Sequence, residues 1–158
     1  MRSLLFAALG MLALTYTASA QTSSAPITTA VDGEEGEYLV SGSGYALYMF
    51  KADTQGTASR KASSVCEGDC LSAWPALVVT EPPIGDDKVR LDLLGTMERT
   101  DGSLQVTYNG WPLYYYAEDF QPGDIKGNDI DDFGGDWYLL GADGNRSDRD
   151  DDNEAEDD

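Results

Sequence analysis

The sequence contains no histidine, and its 10 lysine and arginine residues face 29 aspartate and glutamate residues. The missing imidazole removes the side chain that most often serves as general base or metal ligand near neutral pH. The net charge of −19 predicts a surface that repels nucleic acid and anionic membranes and attracts cations or basic partner proteins. No G-x-S-x-G nucleophile elbow and no phosphate-binding glycine loop is found, so we expect a non-enzymatic protein.

No apolar run is long enough to span a membrane, but the N-terminus resembles a secretory signal peptide. Arg2 precedes a mostly apolar stretch from Leu4 to Tyr16, and Ala18-Ser19-Ala20 is a small-x-small cleavage site. Removal of residues 1–20 takes the charge from −19 to −20, because Arg2 is lost and no acid is. No Cys stands directly after the cleavage site, so we expect a periplasmic or extracellular protein without a lipid anchor.

Changes in composition predict one folded domain between two dissimilar ends. Residues 21–37 are polar and rich in small side chains, which indicates a flexible lead-in. Residues 38–143 carry the apolar patterning, and a linker-like segment at 80–88 divides them into halves at 38–79 and 89–143. Residues 144–158 hold eight acids and almost nothing apolar, so they cannot offset the entropy lost on ordering. We predict that they form a disordered acidic tail.

The pattern Y-x-aromatic-x-x-D occurs twice, at Tyr48–Asp53 and again at Tyr114–Asp119, with a constant offset of 66. An internal repeat of this kind predicts a duplicated unit. Dipeptides that suit tight hairpin turns, Asp101-Gly102 and Asn109-Gly110, separate alternating apolar runs in the second half. We therefore predict an all-β fold, a single small domain of two similar antiparallel units. Helix is expected only as short turns near 62–74 and 91–94. The predicted strands are 38–40, 47–50, 76–79, 96–99, 104–108, 113–116 and 137–140.

The repeated motif has two interpretations. Alternation along a strand places the two aromatic residues of each copy on one face of a sheet, where they suit a half-buried surface. We favour a core role for the rings and a turn-capping role for the acid that closes each copy. The alternative is a shallow cation or ligand site formed by the paired aromatic and acidic ends. The side chains concerned are Tyr48, Phe50, Asp53, Tyr114, Tyr116 and Asp119.

The two cysteines, Cys66 and Cys70, are separated by three residues. In an exported protein they are most simply a structural disulfide. A thiol–disulfide exchange site is a second interpretation, although the spacing is not C-x-x-C and the intervening acids dull the nucleophile. A metal site is a third, although two further soft ligands are missing.

One acidic loop, residues 123–135, is dense in oxygen ligands of the kind that Ca²⁺ prefers. The EF-hand pattern is not met, because Phe133 stands where the pattern has a polar residue. We consider a Ca²⁺ site and, as the simpler alternative, a solvated acidic loop. The candidate ligands are Asp124, Asn128, Asp129, Asp131 and Asp132.

The chain resembles the secreted-repeat lipoprotein family, exported bacterial proteins of unknown function with a tandem Y-x-[FWY]-x-x-D repeat. The matching stretches are 45–56, 66–77, 99–127 and 134–140. This resemblance implies export and a β repeat but no activity. Gln21 stands where many members carry a lipidated Cys, and the acidic tail is not part of the pattern.

The sequence thus favours an exported, non-enzymatic binding or envelope-associated module, with Ca²⁺ as the most concrete ligand. The alternative is a periplasmic or extracellular redox accessory protein that uses Cys66 and Cys70 or a bound cofactor.

Overall fold

The computed structural model describes residues 27–32 and 36–147, and these form antiparallel sheets with very little helix, as predicted. The strands are β1 (Ile27–Asp32), β2 (Gly36–Ser41), β3 (Tyr48–Phe50), β4 (Val78–Val79), β5 (Leu94–Glu98), β6 (Leu104–Tyr108), β7 (Trp111–Pro112), β8 (Ile130–Asp132) and β9 (Gly135–Leu139). The helical elements are α1 (Asp69–Ala73) and a 3-10 turn (Leu91–Leu93), both inside the predicted ranges. No helix in the described part of the chain is long and apolar enough to cross a membrane.

Three small sheets are built from these strands. β1 pairs with β2, β3 pairs with β9 which pairs with β8, and β6 lies between β4 and β5 with β7 as an additional partner. The predicted Asp101-Gly102 turn joins β5 and β6, and Gly102 adopts the positive φ of 84° that such a turn requires. The Arg99 N–H donates to the Ser103 carbonyl at 2.9 Å and closes the hairpin.

The two halves meet through the segments that carry the repeated motif. We call residues 47–50 and 113–116 the central segments. The Tyr48 N–H donates to the Tyr114 carbonyl at 2.9 Å, and the Tyr114 N–H donates to the Tyr48 carbonyl at 3.0 Å. This reciprocal pair is what a two-fold relation between the halves produces.

The segments that end each half, residues 74–77 and 137–140, cross over to the other half. The Leu77 N–H donates to the Leu113 carbonyl at 2.9 Å, and the Leu140 N–H donates to the Leu47 carbonyl at 3.4 Å. We call these two stretches the closing segments. Each half is therefore completed by a strand from the other, and the linker at 80–88 connects two interlocked units.

Alternation along the central segments divides the interior into two cores. Tyr48, Phe50 and Tyr114 face an aromatic core that also holds the two cysteines. Leu47, Met49 and Leu113 face an aliphatic core on the opposite side. The predicted placement of the motif aromatics on one face is confirmed.

Four sequence expectations differ from the structure. The predicted strand 113–116 is not continuous, because β7 ends at Pro112 and Tyr114 makes only isolated bridges with Tyr48 and Ala76. β1 lies inside the predicted flexible lead-in and is held by backbone pairing with β2. Backbone pairing needs no alternation of apolar side chains, so no pattern in the sequence indicated this strand. β8 lies inside the predicted acidic loop. The first residues of the predicted tail are ordered, since the Ser147 N–H donates to the Leu139 carbonyl at 2.9 Å. The predicted signal peptide at 1–20 and the tail at 148–158 lie outside the described residues.

Candidate functional site

The tyrosine of each motif copy bonds to the aspartate of the other copy. The Tyr114 hydroxyl donates to Asp53 Oδ2 at 2.5 Å, and the Tyr48 hydroxyl donates to Asp119 Oδ2 at 2.7 Å. All four residues are buried. We call the two pairs the Asp53 latch and the Asp119 latch. They cross the boundary between the halves in opposite directions.

The second oxygen of each carboxylate is also satisfied. Asp53 Oδ1 accepts the Val65 N–H at 2.8 Å, and Asp119 Oδ1 accepts the Lys126 N–H at 2.9 Å. These donors lie well beyond the turns that follow the two motifs. The turn-capping interpretation is therefore corrected: the acids fix a distant loop and the opposite tyrosine. A buried carboxylate needs such partners, because leaving it unpaired is costly.

Burial perturbs the protonation of all four latch groups. It raises the pKa of Asp53 and Asp119 above the usual value, although the tyrosine and backbone hydrogen bonds oppose the rise. Burial, together with the bond to a carboxylate and its charge, also raises the pKa of Tyr48 and Tyr114 far above the ordinary range. The phenols thus stay protonated donors, and each latch is a phenol beside a proton acceptor.

Four aromatic rings form a continuous stack between the two latches. Trp74 lies on Trp137 with ring centroids 3.9 Å apart and planes 5° from parallel. Phe50 covers the far face of the pair at 4.0 Å from Trp137, and Tyr116 lies 4.3 Å from Trp74. Tyr116 is partly exposed, whereas both tryptophans are fully buried. The stack joins the two closing segments and leads from the interior to the surface.

The latch tyrosines touch this stack edge-on. Tyr114 lies 5.1 Å from Trp137, and Tyr48 lies 5.5 Å from Trp74, both in T-shaped contacts. Such contacts place the positive edge of one ring against the negative face of the next and are stabilising. The motif residues therefore form one aromatic and acidic cluster, which is buried except for the partly exposed Tyr116.

Cys66 and Cys70 form a disulfide, as predicted, with their Cα atoms 5.3 Å apart. The two residues are 1% and 5% exposed and pack in the aromatic core. A thiolate from another protein cannot approach sulfur atoms buried in this way, so the geometry fits a structural bridge and offers no support for the exchange interpretation.

Arg99 is a buried cation that sequence reasoning missed. Its guanidinium donates to the Cys66 carbonyl at 2.6 Å and to Gln105 Oε1 at 2.5 Å. Its charge also lowers the pKa of Asp53, against the larger effect of burial. A single arginine at the end of a strand has no local pattern that distinguishes it from a surface residue. The arginine ties the disulfide loop to β6.

Three of the five candidate calcium ligands have separate partners. Asp124 pairs with Lys126 at 3.0 Å, and Asn128 accepts the Leu139 N–H at 2.9 Å. Asp132 accepts the Trp74 indole N–H at 3.3 Å. Asp131 lies in β8 opposite Asp136, while Asp129 stands just before β8 with a positive φ of 59°.

No group of three or more acidic or cysteine side chains in residues 36–147 is placed to hold a metal ion. The structure therefore gives the calcium hypothesis no geometric support within that range. The loop residues support the aromatic stack and β9 instead.

A groove of about 450 Å³ lies between the linker and the edge strand β5. We call it the linker groove. Exposed large apolar side chains cluster around it: Ile84 is 52% exposed, Leu91 62% and Leu104 37%. The walls consist of residues 80–85, Leu91, 94–96 and Leu104. Sequence reasoning recorded this segment only as a linker.

A second depression, of about 550 Å³, lies on the opposite face of β5. Met97 and Thr107 contribute to it, whereas Leu94 and Leu104 contribute to the linker groove. Arg60, Lys61 and Glu98 give this second depression mixed charge. The free edge of β5 thus runs between an apolar groove and a polar one.

A family model described as a secreted repeat of unknown function matches residues 29–78 and 95–140, which are the two halves on either side of the linker. No curated protein and no solved structure matches the chain.

Proposed function

Because the chain belongs to the family of secreted repeats of unknown function, we propose that it is an exported, non-enzymatic binding module. Its ligand is an extended segment of a partner protein that is basic overall and carries apolar side chains at alternate positions. The segment adds to the free edge of β5 and fills the linker groove.

The observation that carries this proposal is the concentration of exposed apolar side chains around the linker groove. Exposed patches of this kind mark binding surfaces, because a soluble protein otherwise covers them. Pro82 and Pro83 stiffen the wall of the groove, since proline fixes its backbone angle. The groove is thus held open in the absence of a ligand and requires little ordering on binding.

The edge of β5 supports an extended ligand. Arg99 and Ser103 form a hydrogen-bonded pair, so the odd-numbered residues of β5 direct their backbone groups toward β6. Thr96 and Glu98 therefore direct their N–H and C=O groups outward. Edge groups of this kind accept an additional strand, with backbone bonds for affinity and alternate side chains for specificity.

The net charge of −19 favours a basic ligand. Glu81 lines the groove, and Glu98 stands at the open edge of β5. A strongly acidic protein raises the local concentration of cationic ligands and speeds their association, and salt weakens both effects.

The test is a binding titration of the full mature chain with a labelled peptide of alternating lysine and valine. Binding is expected, and it should weaken as salt is raised. The substitutions Leu91→Ser and Ile84→Ser should each weaken it about tenfold, because about 1.4 kcal/mol of apolar burial is lost. Thr96→Pro should abolish it by removing an outward N–H that the fold itself does not use.

The matched control is Val65→Ser, because Val65 is 60% exposed but lies away from the groove. This variant should bind as the parent does. Equal weakening by Val65→Ser, or equal affinity for a peptide of alternating glutamate and valine, would refute the proposal.

A further inference from the structure

Independently of the groove, we propose that the aromatic core is a site of reversible one-electron oxidation. A cationic one-electron oxidant, such as an oxidised metal complex, takes an electron at Tyr116. The oxidising equivalent then moves inward and is held on Tyr114 or Tyr48. The phenol that holds it gives its proton to its latch aspartate.

The rings provide a continuous path for the electron. From the partly exposed Tyr116 the next ring is Trp74 at 4.3 Å, then Trp137 at 3.9 Å, and Tyr114 follows at 5.1 Å. Each step joins rings in van der Waals contact, and electron transfer is efficient between orbitals that overlap in this way. Tyr48 forms a branch, since its ring lies 5.5 Å from Trp74.

The latches provide the place for the proton. Removal of an electron from a buried phenol leaves a radical cation, and an isolated charge is costly in a low-dielectric interior. The Tyr114 O–H bond breaks, and a new O–H bond forms at Asp53 Oδ2, which lies 2.5 Å away. The products are a neutral phenoxyl radical and a neutral carboxylic acid, while the electron is on the metal complex. The same step is available at Tyr48 and Asp119 over 2.7 Å.

The environment of the two aspartates favours the proton transfer. Burial raises the pKa of both carboxyl groups, so each accepts a proton more readily than a solvated aspartate does. The transfer also removes a buried negative charge from the site. The reduced metal complex can return the electron through the same rings, and the proton then returns to the phenol.

The acidic surface around Tyr116 favours a cationic oxidant. The negative charges of Glu118, Asp132 and Asp119 all act on its phenol and, with burial, raise its pKa. The net charge of −19 adds a long-range attraction for cations. The negative charge around Tyr116 therefore attracts the same cationic complexes that can accept an electron from the aromatic stack.

Tyr108 provides a matched control within the same protein. It is fully buried, but its hydroxyl donates to the Ala142 backbone carbonyl at 2.7 Å and accepts the Arg90 N–H at 2.8 Å. A backbone carbonyl cannot retain the proton. Tyr108 also packs in the aliphatic core, away from the tryptophan stack.

The experiment generates tris(bipyridine)ruthenium(III) by laser flash of the ruthenium(II) complex with a sacrificial electron acceptor, in the presence of the full mature chain. Transient absorption and electron paramagnetic resonance then follow the protein radical. The expected result is a neutral tyrosyl radical formed after a short-lived tryptophan radical. The double substitution Tyr48→Phe with Tyr114→Phe should abolish the long-lived tyrosyl signal of the interior. It should leave only the short-lived signals of Tyr116 and the tryptophans, while Tyr108→Phe should leave every signal unchanged.

A second pair of variants keeps the shape of the site and removes the base. Asp53→Asn with Asp119→Asn retains an oxygen acceptor for each phenol, and it should slow tyrosyl formation by about a hundredfold, as loss of a positioned proton acceptor does. A long-lived tyrosyl radical formed at the parent rate in either double variant would overturn the proposal. Loss of the signal in Tyr108→Phe would overturn it as well, and a melting curve for each variant verifies the fold.

Discussion

The Asp53 latch and the Asp119 latch have the same geometry but are held in place by different means. Asp53 accepts the N–H of Val65, which directly precedes the Cys66–Cys70 disulfide loop, and Arg99 ties that loop to β6. Asp119 is bound by the acidic loop of the second half, with Lys126 as the backbone donor. The repeated motif therefore specifies the crossed tyrosine–aspartate pairs. The loop that donates a backbone N–H to the aspartate is positioned by different contacts in each half.

The environments of the two phenols differ in the same way. The Tyr114 hydroxyl lies 2.6 Å from the Ser64 hydroxyl, while the Tyr48 hydroxyl accepts the Gly127 N–H at 3.2 Å. A Cβ atom at Gly127 would come within 2.9 Å of the Trp74 and Tyr48 rings. The Asp119 latch therefore depends on the close approach of a backbone, and the Asp53 latch depends on a side chain and a covalent bridge.

The largest expected effect is loss of the feature that both latches share. Trp137→Ala removes a fully buried ring that stacks on two others, and it should lower the free energy of unfolding by about 3–5 kcal/mol. The partly exposed Trp111 serves as the control, and Trp111→Ala should cost clearly less. Urea titration of both variants measures the free energy of unfolding. An equal decrease in the two variants would show that the stacked rings contribute no more to stability than a partly exposed tryptophan does.

Removal of one carboxylate tests each latch separately. Asp53→Ala leaves a phenol and a backbone N–H without their acceptor, and so does Asp119→Ala. Each buried group left unsatisfied should lower the free energy of unfolding by about 1–3 kcal/mol. Asp53→Asn and Asp119→Asn keep an acceptor and should cost less than the alanine variants. Alanine variants as stable as the parent would contradict a stabilising role for the latches.

Removal of the disulfide should separate the two latches. Cys66→Ala with Cys70→Ala should cost roughly 2 kcal/mol, the chain-entropy value for so short a loop. Hydrogen exchange should then accelerate at the Val65 N–H, which the Asp53 latch holds, and stay unchanged at the Lys126 N–H. Equal acceleration at both amides would mean that the two loops are not independent.

A smaller effect is expected in the pH dependence of stability. Burial raises the pKa of Asp53 and Asp119 above 3.8, so the folded chain binds these protons more tightly than the unfolded chain. Their contribution is fully present below pH 3.8 and is lost as pH rises through the raised folded values. The urea midpoint should therefore fall as pH rises from about 4 toward neutrality.

The paired Asp53→Asn and Asp119→Asn substitutions should flatten this dependence. Asp101→Asn should not, because the bonds from Ser103 lower the pKa of Asp101 and give its contribution the opposite sign. A slope that the paired variant leaves unchanged would assign the effect to general surface repulsion.

The smallest expected effect concerns calcium. No group of three or more acidic side chains in residues 36–147 is placed to hold a metal ion, so Ca²⁺ and Mg²⁺ at equal ionic strength should shift the melting temperature by the same amount. A shift specific to Ca²⁺ that Asp129→Asn with Asp131→Asn abolishes would restore the calcium hypothesis. The monovalent salt at matched ionic strength is the necessary control, because screening alone stabilises a chain of this charge.

Local features could be predicted from the sequence because their causes are local. The β5–β6 hairpin follows from Asp101-Gly102 between alternating residues, and the two-sided division of the central segments follows from a period of two. The disulfide follows from the expected export of the chain to an oxidising compartment and from the presence of two cysteines.

The latches could not be predicted, since their partners are far apart along the chain. The sequence motif is equally compatible with a bond from each tyrosine to the aspartate of its own copy, five residues away. Only the crossing of the two halves in the folded chain selects the other pairing. β8 was missed for a different reason. Its turn places Phe133 at a positive φ of 52°, which is unusual for a bulky residue and gives no sequence signal.

The exchange of closing segments and latches has a consequence for how the gene could have arisen. An ancestral chain with one repeat would have contained a tyrosine, an aspartate and a closing segment that only a second copy could use, so its stable form would have been a symmetric homodimer. Duplication and fusion through the linker would then have converted two subunits into one polypeptide that keeps the exchanged closing segments and latches. A chain cut between Pro83 and Lys88 should accordingly reassemble from its fragments, because each fragment carries what the other lacks.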